Sequence, residues 1–254
     1  MEWWFVTLAA GLAGFVDAIV GGGGLILVPA LFAAFPGAHP ATLFGVNKGA
    51  SVWGTAAATW QYARRVEMRW ASLLPAAAVC FAGAMAGAWL VTVVSPAFLR
   101  KVLPGVLLLV LVYTLVRKDL GREHRPRFAG RSETLAACTL GLTIGFYDGF
   151  FGPGTGSFFV FLFVRWLGYD FLHASASAKW LNTTSNLAAL SLFAWKGHVW
   201  WHYALVMALA NVAGSTLGTR LALRHGAGFV RGVFLLVVTA LILKTGWDAY
   251  APMR

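Results

Sequence analysis

The sequence predicts an all-α polytopic membrane protein made of two homologous tandem repeats, each with a glycine-broken first segment followed by three transmembrane helices. Hydrophobic residues make up 59% of the 254 residues and charged residues only 11%, whereas a soluble domain averages about 25% charged residues. This composition cannot build a water-facing surface, so lipid is expected to be the main solvent. The other two observations are the length of the apolar stretches and an internal repeat.

Six apolar stretches are long enough for a spanning helix, which needs roughly 20 residues. They cover residues 43–63, 71–94, 98–116, 175–195, 199–221 and 229–247. Two further apolar regions, 5–35 and 134–167, are each interrupted by a glycine-rich break. Each break leaves arms of roughly 12 to 18 residues, which are marginal or too short to span alone at about 1.5 Å per residue.

A shift of 131 residues aligns the unusual positions of one half of the chain with those of the other. Aligned Leu and Val would be expected in any apolar sequence, but aligned Asp and Lys would not be in a chain so poor in charge. We therefore predict a duplication, with the first membrane repeat at 1–117, a charged cytoplasmic linker at 118–131 and the second membrane repeat at 132–254. The aligned pairs include Gly14 and Gly145, Asp17 and Asp148, Gly21 and Gly152, Gly23 and Gly154, Lys48 and Lys179, and Arg100 and Arg231.

Two topologies fit each broken segment. A long broken helix gives four crossings in each half and parallel repeats, whereas a re-entrant hairpin gives three crossings and inverted repeats. The short arms slightly favour hairpins, because inverted repeats are a common basis for alternating access. Basic residues concentrate on the side of the 64–69 loop and the linker in either topology, which predicts that these segments are cytoplasmic. The side of the termini stays open.

The two glycine-rich breaks are candidate anion sites. Irregular backbone at membrane depth is tolerated only where protein or a water-filled cavity covers it. A helix starting at Leu25, and another starting after Gly156, would offer unpaired N–H groups and a positive dipole end to an anion. The alternative is a flexible kink or a close helix crossing, but two breaks at equivalent positions favour a binding role. The predicted substrate-binding residues of the breaks are Gly21, Gly22, Gly23, Gly24, Gly152, Gly154, Thr155 and Gly156.

Two aspartates and two lysines at matched positions lie inside the apolar regions, where charges are costly and usually functional. We expect Lys48 and Lys179 to attract the anion. Asp17 and Asp148 would fix the glycine loops or carry a coupling proton, because burial penalises the charged form of a carboxylate. The alternative is a pair of structural ion pairs that fix the helices.

Polar residues extend each lysine position along one helix face at spacings of three and seven residues. These side chains could hydrogen-bond sulfonate or carboxylate oxygens, and the alternative is interhelical hydrogen bonding. The predicted binding stripes are Lys48, Ser51 and Thr55 in the first half, and Lys179, Asn182 and Asn186 in the second.

Other features exclude functions or suggest packing. The net charge is +11, and the basic residues lie in short loops between apolar segments, as the positive-inside rule predicts. No nucleic-acid partner is therefore expected. The sequence contains neither His-Glu-x-x-His nor Gly-x-Ser-x-Gly, so no catalytic residues are assigned and an enzyme is not expected. His39 and His173 do not align under the shift, so we expect no matched metal site and no cofactor. Two small-xxx-small pairs are interpreted as helix packing, Gly83 with Gly87 and Gly214 with Gly218.

The repeated pattern of Gly-x-x-Asp, a glycine-rich break and a Lys-bearing polar helix resembles the TauE/SafE sulfite exporter family, also called the 4-toluene sulfonate uptake permease family. The turn from Gly197 to Trp201 also resembles that family, and the resemblance covers about residues 5 to 247. The matching positions are Gly14, Asp17, Gly21, Gly22, Gly23, Gly24 and Lys48, then Gly145, Asp148, Gly152, Gly154, Gly156 and Lys179.

The resemblance implies a secondary transporter of a small organic or sulfur-containing anion, such as sulfite or a sulfonate, coupled to protons or another ion. It also implies a multi-pass protein of a bacterial-type inner (plasma) membrane, with the small anion and the lipid bilayer as partners. A passive anion channel and an intramembrane enzyme are the alternatives. The substrate, the direction of transport, the coupling ion and any homo-oligomer stay open.

Overall fold

A computed structural model describes residues 2–103, 105, 109 and 124–250, with side chains described as far as residue 225. These residues form helices and short connections, and no strand occurs among them. The α7 helix continues as a π-helical turn, Phe163–Leu167. The helices are α1 (Glu2–Val20), α2 (Gly24–Ala34), α3 (Pro40–Ala63), α4 (Trp70–Val93), α5 (96–103), α6 (Arg131–Phe150), α7 (Thr155–Leu162), α8 (Phe171–Trp195) and α9 (Trp201–Tyr250).

Three predicted spans, 43–63, 71–94 and 175–195, correspond to α3, α4 and α8, which begin one to four residues earlier. The earlier starts have local causes. His39 Nδ1 accepts a hydrogen bond from the amide of Ala41 at 3.2 Å before Pro40 opens α3, and Asp170 caps α8 by accepting from the amide of His173 at 2.9 Å. Such caps satisfy amides that a helix start leaves unpaired.

The predicted interruption between the last two apolar stretches is wrong. The stretches 199–221 and 229–247 belong to one continuous helix, α9, because the residues between them contain no proline. Gly226 and Gly228 lie there, but a glycine inside a helix costs only about 1 kcal/mol. The last residue of the linker predicted at 118–131, Arg131, is the first residue of α6. The first part of that linker, 118–123, and most of the predicted span 98–116 lie outside the described residues.

Within the described part, three helical segments are long and apolar enough to cross a membrane: Trp3–Val20, Trp70–Val93 and Trp201–His225. The lysine-bearing helices α3 and α8 are not among them, and both bury most of their residues inside the protein. They lie against each other, with the hydroxyls of Thr59 and Thr183 2.9 Å apart. The outer helices therefore supply the apolar surface, and the polar residues lie on the buried helices at the centre.

Both glycine-broken segments reverse the direction of the chain. Trp3, at the start of α1, stacks on Tyr203 with 3.9 Å between ring centroids. Phe35, just after α2, meets the same ring at 5.0 Å. In the second half, the hydroxyl of Tyr169, just after the π-helical turn, donates to Glu133 at the start of α6. Each break is therefore the tip of a hairpin whose two arms return to the same end.

The two halves of the chain interlock. The α1 helix packs along α9, and α4 packs along α6, so each of these contacts joins one half to the other. Glycine permits the close approach, because a Cβ at Gly214 would lie 1.9 Å from the oxygen of Gly11, and one at Gly87 would lie 2.1 Å from the oxygen of Phe146. The small-xxx-small pairs therefore lie at helix crossings, where they were expected.

The ends of the helices differ in charge. Arg69, at the start of α4, pairs with Glu133 at 2.9 Å, which places the starts of α4 and α6 at one end. The amides of Arg125 and Arg127 bond to the oxygens of Gly168 and Leu167 at the same end. Arg64, Arg65, Arg131 and Arg165 also lie in these connections and helix ends. Basic residues therefore concentrate at this end of the helices, which is called the basic end below.

Candidate functional site

The two glycine breaks cross each other in the middle of the molecule. Gly21 and Gly152 both have φ of 83°, a left-handed conformation that favours glycine. The oxygen of Gly21 accepts a hydrogen bond from the amide of Ser157 at 3.1 Å, and the Ser157 hydroxyl donates to the oxygen of Val20 at 3.0 Å. A Cβ at Gly21 would lie 2.2 Å from the carbonyl carbon of Gly156. The hairpin tips are thus in backbone contact.

Each helix that follows a break starts earlier than predicted. The α2 helix begins at Gly24 rather than Leu25, because Gly23 already has helical angles, φ −56° and ψ −39°. The α7 helix begins at Thr155 rather than after Gly156. There the amide and hydroxyl of Thr155 both donate to the oxygen of Gly152, at 3.2 and 2.8 Å, and close the first turn.

Polar side chains anchor both tips. The amide of Gly23 donates to Asp17 Oδ1 at 3.4 Å. The Tyr147 hydroxyl donates to the oxygen of Pro153 at 2.6 Å. These bonds hold irregular backbone where no lipid-facing loop would be tolerated.

The two aspartates and two lysines at matched positions form two ion pairs, and each pair joins the two halves. Lys48 Nζ lies 2.7 Å from Asp148 Oδ2, with side chains only 2% and 1% exposed. Lys179 Nζ lies 3.0 Å from Asp17 Oδ2 and also donates to the Asp17 backbone oxygen. Asp17 is the most accessible of the four, with 15% of its side chain exposed. The lysine of each half is therefore neutralised by the aspartate of the other half.

The surroundings of Lys48 leave unused hydrogen-bonding capacity. Lys48 Nζ donates to Asn186 Oδ1 at 3.0 Å. Its approach to Asp148 is electrostatic, since Asp148 Oδ2 receives no well-aligned hydrogen bond. Among the described residues, the buried Oδ1 of Asn47 also has no hydrogen-bond partner. A buried polar atom without a partner costs about 1–3 kcal/mol, so its presence suggests a ligand or water partner.

A polar cavity of about 20 Å³ lies at the crossing, which is room for about one water molecule. Twelve of the sixteen predicted site residues line it, together with Asn47. The lining residues are Asp17, Gly21, Gly24, Asn47, Lys48, Ser51, Thr55, Asp148, Gly152, Thr155, Gly156, Asn182 and Asn186. Asn47 could have been found in the sequence, because Asn47, Ser51 and Thr55 follow one another at four-residue spacing on one helix face.

The other four predicted residues do not line the cavity. Gly23 packs against α1, where a Cβ would lie 2.6 Å from the oxygen of Ala13. Gly154 supplies a left-handed turn with φ of 80°. Lys179 points its ammonium at Asp17, and Gly22 lies beside the tip with ordinary van der Waals surroundings. Lys48 therefore lines the cavity directly, whereas Lys179 contacts Asp17, which lines it.

Comparison with known proteins agrees with a membrane transporter. The sequence profile of the family described as Sulfite exporter TauE/SafE matches residues 6–245. The chain is 38% identical over 251 residues to the "Probable membrane transporter protein ORF9" of Sinorhizobium sp., covering 98% of this chain and 94% of that protein. It is also 38% identical over 240 residues to the "Probable membrane transporter protein YfcA" of Escherichia coli strain K12, covering 94% and 87%.

A "Probable membrane transporter protein" of Haemophilus influenzae is 33% identical over 241 residues, covering 93% of this chain and 91% of that protein. No solved structure matches the chain. The similarity therefore extends over almost the whole length of these transporters.

Proposed function

Because the chain belongs to the TauE/SafE sulfite exporter family, we propose that it is a secondary transporter, not an enzyme, that moves a small organic or sulfur-containing anion across a bacterial inner membrane. Sulfite and sulfonates are the leading substrates. The observation that carries the proposal is the polar cavity at the crossed glycine tips, which Lys48, Asp148 and Asp17 line in an otherwise apolar protein.

The interlocked halves support an inverted duplication. In the repeat, α1 corresponds to α6, α3 to α8 and α4 to α9. Under this exchange the α1–α9 contact becomes the α4–α6 contact, and the α3–α9 contact becomes the α4–α8 contact. The start of the first hairpin lies beside Tyr203, at the end where α3 begins, whereas the start of the second hairpin pairs with Arg69, at the end where α3 finishes. The two hairpins therefore enter from opposite ends, as inverted repeats would. In such transporters one half rocks against the other around a fixed site at the midplane.

The charge balance of the site supports coupling to a proton. Two lysines and two aspartates sum to zero, so an anion that entered the cavity would leave an uncompensated negative charge away from water. An unpaired charge in that setting is strongly unfavourable. A proton taken up by Asp17 or Asp148 would restore neutrality and free a lysine for the anion. Anion and proton would therefore bind together.

The size of the cavity implies that it belongs to a closed conformation. Space for about one water molecule does not hold a sulfonate. Admission of the anion would require the hairpin tips to separate, which breaks the two Ser157 hydrogen bonds to the first tip. Once the anion has passed the tips, the contact between Ser157 and the first tip would re-form behind it.

The test uses proteoliposomes and three neutralised variants: Lys48→Met, Asp148→Asn and the double variant. Removing one partner of a buried pair costs about 3–5 kcal/mol, so both single variants should be unstable. The double variant removes both charges and should recover the unfolding temperature of the parent, yet take up no labelled sulfite, taurine or sulfoacetate. Recovery of uptake together with stability would show that the pair is only a structural brace.

A matched control is Ser191→Ala, which removes a hydroxyl from the exposed face of α8 and should leave uptake unchanged. An imposed proton gradient, acidic on the side of the anion, should accelerate uptake by the parent. Flux that ignores every imposed gradient would instead indicate a passive channel and contradict the secondary transporter.

A further inference from the structure

Two imidazoles and a carboxylate meet at the basic end of the helices, away from the central cavity. One ligand atom each from His124, Asp170 and His173 can be chosen so that all lie within 4.8 Å of one another. Asp170 Oδ2 lies 2.7 Å from His173 Nδ1 and 3.8 Å from His124 Nδ1. The two imidazole rings are 4.1 Å apart between centroids. The three side chains are half-buried, so an ion in water could reach them.

The backbone holds these residues together. The amides of Arg125 and Arg127 donate to the oxygens of Gly168 and Leu167, both at 2.9 Å, so the segment after His124 lies beside the loop between α7 and α8. Asp170 is the N-cap of α8, and its Oδ1 accepts from the amide of His173 at 2.9 Å. One carboxylate oxygen is thus fixed by the cap, and Oδ2 is the oxygen that faces both rings.

We propose that His124, Asp170 and His173 form a binding site for a divalent transition-metal ion of the zinc class. Two imidazole nitrogens and one carboxylate oxygen are a ligand set that Zn²⁺ accepts at about 2.0–2.2 Å, with water in the fourth position. Imidazole also suits Ni²⁺ and Cu²⁺, whereas Mg²⁺ and Ca²⁺ prefer oxygen ligands. Ligand atoms around one tetrahedral ion lie about 3.4 Å apart, so the 2.7 Å contact between Asp170 and His173 must open slightly and the longest separations must close by roughly 1 Å. Rotation of these half-buried side chains can do both.

A simpler arrangement would explain only part of the cluster. An Asp170–His173 hydrogen bond that caps α8 needs no third member. His124 comes from 46 positions earlier in the chain, and its Nδ1 accepts a hydrogen bond from the Asp170 amide at 3.4 Å. Its ring also packs on that of His173, and the same Nδ1 lies 3.8 Å from the Asp170 carboxylate, which a helix cap does not require. His124 is therefore the residue that distinguishes a metal site from a helix cap.

The site would couple metal to the transport pathway. A bound ion would fasten the segment between the two halves to the start of α8, the helix that carries Lys179, Asn182 and Asn186. Movement of α8 would then need the linker to move with it. Metal binding itself does not depend on the proposed transport function.

The experiment uses the full chain, purified without a polyhistidine tag and freed of metal by chelation. Titration with Zn²⁺ by calorimetry, and with Co²⁺ by its visible absorption, should show one ion per chain. His124→Ala and His173→Ala should each weaken binding by about tenfold or more. Asp170→Asn should also weaken binding while keeping the cap, because Asn caps helices as well as Asp does.

The matched control is His202→Ala, which removes an exposed histidine at the opposite end and should leave affinity unchanged. Thermal unfolding in the absence of metal checks that each variant is folded. If His124→Ala proves unstable, His124→Gln replaces it. Absence of a stoichiometric ion in the parent, or parental affinity in a folded His124 variant, would overturn the proposal.

Discussion

Substitution of Gly21 by alanine tests whether the hairpin tips must touch. The new Cβ would lie 2.2 Å from the carbonyl carbon of Gly156 and 2.5 Å from the Ser157 amide nitrogen, which are backbone atoms that cannot rotate away. A left-handed conformation costs a non-glycine residue roughly 1–2 kcal/mol, and overpacking typically adds about 1–3 kcal/mol. We therefore expect Gly21→Ala to lower the free energy of unfolding by about 2–5 kcal/mol.

The neighbouring Gly22 is the matched control. A Cβ there would meet only side-chain atoms, at 3.7 Å or more, and its φ is not in the left-handed range. Gly22→Ala should therefore stay close to the parent, with a change of at most about 1 kcal/mol in either direction. Both variants make the same chemical change one residue apart, so composition and hydrophobicity are held constant.

The assay is equilibrium unfolding in mixed micelles, followed by tryptophan fluorescence, with anion uptake in proteoliposomes as a second readout. Gly21→Ala should be unstable and inactive, and Gly22→Ala should be stable. Equal unfolding free energies in the two variants would refute the contact between the tips and, with it, the placement of the cavity.

Three further outcomes follow from individual residues. Gly87→Ala should lower the free energy of unfolding by several kcal/mol, since its Cβ would lie 2.1 Å from a backbone oxygen of α6. Gly37→Ala is the control for thermal unfolding and should change this free energy very little, because no atom lies within 4 Å of its Cβ. Asn47→Leu should raise the free energy of unfolding by about 1 kcal/mol by removing an unpartnered oxygen, yet reduce uptake; unchanged uptake would remove Asn47 from the site. Burial, and then the neighbouring His39, hold the pKa of His198 below its usual range. The neutral His198 therefore contributes stability above about pH 6.5, and this contribution is lost as the pH falls. His198→Gln should flatten the dependence of the unfolding temperature on pH.

The cavity could be predicted from the sequence to a large extent, because its residues break local rules. Glycine runs do not occur by chance in apolar helices, and lysine at membrane depth needs a reason. Positions such as Gly21, Lys48 and Asp148 could therefore be selected without any coordinates. The offset of 131 residues then supplied the equivalent position in the other half.

The pairing of these residues could not be predicted. Lys48 pairs with Asp148 and not with Asp17, and a repeat alone does not indicate which half packs on which. Asn47 was not assigned to the site because its equivalent, Ala178, is apolar, and the repeat drew attention only to matched positions. His124 and His173 lie far apart in the chain and come together through the backbone hydrogen bonds of Arg125 and Arg127 to Gly168 and Leu167.

The exchange of partners between Lys48 and Asp148, and between Lys179 and Asp17, has a consequence for biogenesis. While the ribosome is still translating the second half, the first half holds one cation and one anion whose counterparts have not yet been made. Neither can settle in lipid alone, so early helices should wait in contact with the insertion machinery until their counterparts emerge. Co-expression of the halves as separate polypeptides should rescue accumulation of each, whereas either one produced alone should be degraded.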